Sequence, residues 1–295
     1  WEYFGSRIFV RQNQGPIFSL IKNNLFKNSK IIEAKKLVVV CEQGIGDKIL
    51  YSSLYKDLIN LNINIKFIVD PRLEAIFKRS FGKYEYVWND NFNRIKELIE
   101  DDYQFIYAGN LGKYFRRDIK DFDGKPFLVP NERKVNEYKS ILKKYGFKKY
   151  IGISWKSSSK FSGYKSYKID DFNPIIINRD FGIVNLQYGN IHDLESFNLN
   201  NEKKIIQIKN LDLFNDIDST IALIQCLDYV VTSPNVTIHL AGSIGKSCLA
   251  FYSSNYESIF NSPIKRKNEW YKNLKIIQFH NGLKKRVKDS IGLLK

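Results

Sequence analysis

The sequence has no methionine, and among its 295 residues only three cysteines and three histidines. Lacking an initiator Met, it reads as a fragment of a longer protein. Cys41, Cys226 and Cys248 are odd in number, far apart, and each set in an apolar run. That pattern excludes a disulfide framework and points to reduced, buried thiols in a cytoplasmic protein. His192, His239 and His280 are equally isolated, so no His/Cys set has the spacing of a structural zinc site, and no metal or cofactor is expected. No apolar stretch approaches the ~20 residues of a membrane span. The first residues show no secretory leader pattern.

Acidic residues are also scarce: 31 Asp and Glu face 47 Lys and Arg, a formal net charge of +16. A charge of that sign suits an anionic partner such as nucleic acid, a phosphorylated substrate or an anionic membrane surface. The lysines are scattered, however, and the densest runs, Lys265–Lys267 and Lys284–Arg286, are short. A coding bias toward Lys, Asn and Ile accounts for the total, which leaves anionic partners open for the site alone. No nucleic-acid-binding motif accompanies the charge, and the aromatic content of 15% fits core packing. No nucleic-acid partner is expected.

Hydrophobic residues at 43% and charged residues at 26% are ordinary for a globular chain. The length suits one large or two ordinary domains. "KLVVVCE" is a short, fully apolar run, as in a strand covered on both faces. "GDKILYSSLYKDLINLN" carries apolar residues at helical spacing. "INIKFIVD" reads as a strand, "PRLEAIFKRSF" as a helix opened by Pro71, and "YEYVW" and "YQFIYAG" as strands. "PNERKVNEYKSILKKYG" is a helix closed by Gly146.

The pattern then restarts, with strands at "YIGISWK", "FGIVNLQYG", "KIIQIKN", "DYVVTS", "KSCLAFY" and "NLKIIQF". Between them lie helices at "DIDSTIALIQCL", capped by Asp216 or Asp218, and "NVTIHLAGSIG". "LKKRVKDSIGLLK" is a closing amphipathic helix. Such alternation predicts two parallel sheets covered by helices, two Rossmann-like domains with a cleft between them. The expected divisions are an N-terminal extension, 1–34, with a short helix at "IFSLIKNNL", a first domain, 35–147, a second, 148–279, and a C-terminal helix, 280–295. Ligands of such sheets sit at the carboxyl ends of the strands.

Two loops at those ends carry candidate chemistry. In "EQGIGDK", Gly44 and Gly46 are expected to allow a tight turn and close approach of a ligand. The third glycine of a dinucleotide fingerprint is replaced by Ile49, and Asp70 is the sole candidate for a ribose-binding acid, so NAD is a weak reading. Asp47 stands at the start of the following helix. It could cap that helix or face the cleft as a general base. In the second half, "GKS" at Gly245–Ser247 imitates the end of a P-loop. The P-loop reading fails because Leu240 stands where its first glycine belongs, and because the triplet follows a helix and opens a strand. A better anion site lies upstream, where the amides of Asn235, Val236 and Thr237 open a helix. Thr237 could add a hydroxyl, and His239 lies one turn in, as a ligand contact or a satisfied core histidine.

Taken together, these segments resemble glycosyltransferase family 9, the heptosyltransferase-like enzymes. They are especially similar to the catalytic domains that follow tetratricopeptide repeats in bacterial proteins. The matching residues are "EQGxGD" at Glu42–Asp47, "GxxW" at Gly152 and Trp155, and "LQxG" at Leu186, Gln187 and Gly189. Further matches are the acidic segment Asp212–Asp228, "HLAGSIGK", and Trp270, Tyr271 and Gln278. "WEYFGSR" resembles the segment joining the repeats to the catalytic part.

The resemblance implies a GT-B fold, two Rossmann-like domains with parallel sheets facing a central cleft, and the second holding the donor. It implies a metal-independent, inverting transfer of a sugar from a nucleotide-diphosphate sugar to a hydroxyl of a glycan, a lipid-linked saccharide or a protein. Asp47 matches the proposed base, with Gln43, Gly44 and Gly46 in the acceptor loop. Lys165, or Lys156, would stabilise the departing diphosphate, although lysines in so basic a chain are also ordinary surface. Gln187, Asn235, Val236, Thr237 and His239 complete the donor side. The expected location is cytoplasmic, with peripheral contact at the inner face of an anionic membrane. One departure stands out: Pro234-Asn235 replaces the family's Asp-Thr. It motivates the alternative of a degenerate, non-catalytic nucleotide- or sugar-binding module.

Overall fold

The computed structural model describes residues 16–157, 163, 165–189, 191–254 and 268–294. "WEYFGSR" and the Lys265–Lys267 run lie outside them. The chain divides into two compact units, Trp1–Asp123 and Gly124–Lys295. The division falls earlier than the expected 147/148.

Unit 1 is built on four parallel strands in the order β3-β2-β1-β4: β1 (Lys36–Val40), β2 (Asn64–Val69), β3 (Glu85–Trp88) and β4 (Gln104–Tyr107). Helix α1 (Pro16–Ile21) precedes β1. The helical run after β1 is interrupted at Ser53-Leu54, giving α2 (Ile45–Ser52) and α3 (Tyr55–Ile59). α4 (Pro71–Phe81) has Pro71 in its first turn, as expected, and Asp70 as its cap. α5 (Phe92–Glu100), capped by Asn91, joins β3 to β4. On one face of the sheet, Val38, Val40, Ile68, Val87 and Phe105 pack with Ile21 of α1 and with Ile95 and Leu98 of α5. On the other face, the Tyr55 ring lies 4.7 Å from Phe67.

Unit 2 carries five parallel strands in the order β6-β5-β7-β8-β9: β5 (Lys149–Ser154), β6 (Phe181–Asn185), β7 (Tyr229–Thr232), β8 (Cys248–Ser253) and β9 (Leu274–Phe279). The helices that matter here are α6 (Glu132–Lys143), α7 (His192–Asn200), α8 (Ile217–Gln225), α9 (Val236–Ser243) and α10 (Leu283–Asp289). Asp216, rather than Asp218, caps α8 through the Ser219 amide. Lys134 of α6 then bonds Ser219 Oγ at 2.7 Å and reaches Asp218 at 3.2 Å, which ties α6 into this unit. Trp155, Phe172, Ile183, Val231, Phe251 and Val287 fill its core.

"KIIQIKN" is not a full strand. Ile206 makes one parallel bridge to Val184, while the Asn198 side chain bonds both the amide and the carbonyl of Ile205. Gly245-Lys246-Ser247 is the turn from α9 into β8. Gly245 takes φ +72°, and Lys246 donates to the carbonyls of Gln225 and Leu227 behind the end of α8. Among the described residues, no helix is long and apolar enough to cross a membrane.

Candidate functional site

In an open parallel sheet, ligands bind where the strand order reverses, at the carboxyl ends. The order β3-β2-β1-β4 puts that point of unit 1 between β1 and β4; the order β6-β5-β7-β8-β9 puts that of unit 2 between β5 and β7. The residues that follow β1, β5 and β7 are those flagged from sequence: Glu42–Lys48, Trp155-Lys156 and Ser233–Thr237.

In unit 2 this edge is held by two buried amides. Gln187, 3% exposed, accepts at Oε1 from the amides of Trp155 at 2.9 Å and Lys156 at 2.8 Å and from Ser154 Oγ at 3.2 Å. Its Nε2 donates to the Tyr188 carbonyl at 2.9 Å. Asn235 caps α9, its Oδ1 accepting from the Thr237 amide at 2.8 Å. Its Nδ2 donates to Ser154 Oγ at 2.8 Å and to the Lys156 carbonyl at 3.1 Å. Both side chains thus fasten the loop after β5, one from β6 and one from β7. The Thr237 amide, expected to face a ligand, is spent on the cap, and Thr237 itself is buried.

Charge is arranged around this frame. Lys156 Nζ pairs with Asp193 Oδ2 at 2.7 Å, and the same oxygen accepts from Trp155 Nε1 at 2.6 Å. Burial raises the Asp193 carboxyl, but these two partners outweigh it and hold it below its ordinary value. Lys156 is therefore paired within unit 2. Lys165 lies close enough to His239 to act on it: burial first, then the Lys165 charge, push the imidazole down to about 3. His239 is neutral at physiological pH. Its Nδ1 meets Tyr271 Oη at 3.1 Å; with the phenol donating, Nε2 carries the proton. Beside the edge a cavity of about 180 Å³ opens, lined in part by Asn185, Tyr188, Asp212 and Phe214. The Tyr188 and Phe214 rings stand 6.1 Å apart.

In unit 1 the anchors lie behind the loop. Glu42 Oε1 accepts from the Gly109 amide at 3.1 Å, joining the loop after β1 to the end of β4. Lys48 is buried and pairs with Asp70 Oδ2 at 3.0 Å; Arg72 Nε holds Asp70 Oδ1 at 2.9 Å. Burial alone would raise Asp70, but Arg72 and Lys48 hold it well below the usual carboxylate range. Asp70 is thus a cap and an ion-pair partner. Asp47 Oδ2 accepts from the Gly44 amide at 3.3 Å, so the capping role is realised; Asp47 also remains partly exposed at the edge. The glycines do not make the left-handed turn. Gly44 has φ −75° and Gly46 lies inside α2, whereas Gln43 takes φ +68°.

No family model matches the chain. Among curated proteins it is 26% identical over 262 residues to Protein FlbA of Caulobacter vibrioides, covering 83% of this chain and 44% of that protein. The chain spans less than half the length of this relative. Three solved structures match along nearly their whole length. ADP-heptose LPS heptosyltransferase II of E. coli does so at a TM-score of 0.62 and 16% identity, over 88% of this chain and 98% of that one. A glycosyl transferase family 9 protein of Veillonella parvula gives 0.61 and 13%, over 92% and 99%. E. coli heptosyltransferase WaaC with ADP gives 0.52 and 10%, over 88% and 97%.

The chain has the GT-B fold. Within that fold Asn235, Val236, Thr237, Gln187 and Lys156 share the edge of unit 2, with His239 one turn into α9 and Lys165 near enough for its charge to act on that imidazole, while Asp47, Gln43, Gly44 and Gly46 lie at the edge of unit 1. Sequence reasoning missed Asp193 as the partner of Lys156 and of the Trp155 indole. It also missed Tyr271 as the partner of His239. Trp155 and Tyr271 were marked only by membership of a motif, and Asp193 by nothing.

Proposed function

We propose that the chain is a glycosyltransferase that takes its sugar from a nucleotide-sugar held by unit 2 and passes it, with inversion, to a hydroxyl acceptor at the edge of unit 1. The observation that carries this reading is the prebuilt edge of unit 2. Two buried amides fix the β5 loop and the start of α9, with Lys165 and a neutral His239 alongside. A diphosphate would be met there by the helix start and the Lys165 cation, which would stabilise the charge that grows on the leaving group. His239 would add a neutral donor through Nε2. The neighbouring cavity, with Tyr188 and Phe214 at its wall, suits the nucleoside. Asp47 would take the proton from the attacking hydroxyl while the glycosidic bond to the diphosphate breaks. The charge is met by protein groups, so the reaction as proposed uses no metal. The acceptor is a glycan, a lipid-linked saccharide or a protein. A cytoplasmic location, with contact at an anionic membrane surface, suits such acceptors and the basic chain.

A non-catalytic binding module is favoured by one observation. Asn235, standing where the family has a threonine, spends both ends of its amide on the protein. The test is a thermal-shift series with UDP, GDP, ADP, CMP and their sugars, followed by nucleotide release from whichever binds. We expect a selective shift, and release that falls by about 10²- to 10⁴-fold in Asp47→Asn. Binding with equal release by wild type and Asp47→Asn would leave the module reading; no shift with any nucleotide would remove both.

A further inference from the structure

Among the described residues, four other than glycine adopt positive φ: Gln43, Asn62, Asp102 and Asn210. Three of them are Asn or Asp, whose short polar side chains tolerate the left-handed region. Gln43 is the exception. Its backbone is fixed on both sides. Upstream, the Cys41 amide donates to Ile68 O at 2.9 Å, and Glu42 is held by the Gly109 amide. Downstream, the Gly44 amide donates to Asp47, and the Lys48 amide to Gly44 O at 3.0 Å. The chain is thus forced left-handed where glycine would be the cheap choice. Glycine occupies the next position instead, where φ is −75° and an added Cβ would meet Asp47 Oδ2 at 3.5 Å, an ordinary contact. Strain that the surroundings impose on a residue at a ligand edge signals a side chain kept for a purpose. The Gln43 side chain is partly exposed and makes no hydrogen bond among the described residues.

Resting on the function proposed above, we infer that Gln43 binds the acceptor beside Asp47. Its Oε1 accepts from, and its Nε2 donates to, neighbouring polar groups of a hydroxyl-bearing substrate. An amide offers both roles on one plane, so it suits a pair of adjacent groups, such as a sugar diol or a seryl hydroxyl with its peptide carbonyl.

The test compares wild type, Gln43→Gly and Gln43→Asn, using the nucleotide-sugar that shifts the melting temperature. Nucleotide release is measured in water alone, then with octyl glycosides and with a serine- and threonine-containing peptide pool as acceptor probes. In wild type one probe class accelerates release. In Gln43→Gly, half-maximal acceleration needs roughly 5- to 10-fold more probe, the loss of about one hydrogen bond. This variant melts no lower than wild type, because glycine relieves the left-handed strain. Gln43→Asn, tolerant of the conformation but one methylene short, needs more probe than wild type as well. Equal probe requirements in all three proteins overturn the inference. So does a Gln43→Gly protein that melts more than about 3 °C lower, since Gln43 would then be structural. A wild type inert with every donor and probe overturns the parent reading instead.

Discussion

The two carboxyl edges solve the same problem in opposite ways. In unit 2 the locking groups are the loop residues themselves: Gln187 and Asn235 are buried, and their amides are spent on Ser154, Trp155 and Lys156. In unit 1 the lock is ionic and sits behind the loop, in Lys48, Asp70 and Arg72. That leaves Gln43 and Asp47 at the edge. Under the proposed function, the contrast would match two chemical tasks. A diphosphate leaving group is best met by dipoles that do not reorganise. A proton-taking carboxylate and an acceptor contact must instead present atoms outward. The proton-transfer test of Asp47→Asn carries the largest expected effect.

Asp70→Asn should break the lock of unit 1. It leaves Lys48 buried without its counter-charge, a loss of about 3–5 kcal/mol, read by urea denaturation. The depressed folded value of Asp70 means that its contribution is complete above the ordinary carboxylate range and fades as pH falls from that range to the low folded value. The difference between wild type and variant should therefore be flat from pH 5 to pH 8. A loss of less than about 1 kcal/mol would show that this edge does not depend on its ion pair.

Gln187→Met keeps the volume but strips the amides of Trp155 and Lys156 of their partner. The expected cost is about 2–3 kcal/mol, together with loss of the nucleotide-induced rise in melting temperature. A stable variant that still responds to nucleotide would erase the contrast between the edges, because unit 2 would then not need its amide lock.

Most of this frame was legible in the sequence because strands covered on both faces are unbroken apolar runs. β1 and β5 to β8 announce themselves in that way. "KIIQIKN" has the same look, yet only Ile206 bonds to β6, while the Asn198 side chain takes the outward-facing backbone groups of Ile205, a contact that no local pattern reveals. α5 went unread despite Asn91 at its cap and Ile95, Leu98 and Ile99 at helical spacing. At the edges the motifs fixed which segments matter but not what each residue does. Asn235 was legible as a cap. Its bonds to Ser154 and Lys156 span about 80 residues of chain and belong to the tertiary structure alone. The glycines of "EQGIGDK" suggested the wrong hinge, since composition marks where a turn is easy rather than where the anchors impose it.

The smallest effect concerns protons, and it separates the edges again, because all three histidines fall in unit 2. His239 is held at about 3 by burial and by the Lys165 charge, whereas an unfolded histidine titrates near 6.5. Above that value both states are neutral and stability is complete. Below it the unfolded chain binds a proton that the folded chain refuses, so stability falls toward acid by about 1.4 kcal/mol per pH unit until the folded value is reached. His239→Gln retains an acceptor for the Tyr271 hydroxyl and removes the titration. Unfolding free energies at pH 7.5 and pH 5.5 should therefore differ by less in the variant than in wild type, by roughly 1–2 kcal/mol. Equal differences in the two proteins would mean that His239 is not the buried neutral group of this edge. The uncharged donor proposed for the diphosphate would then have to be a cation.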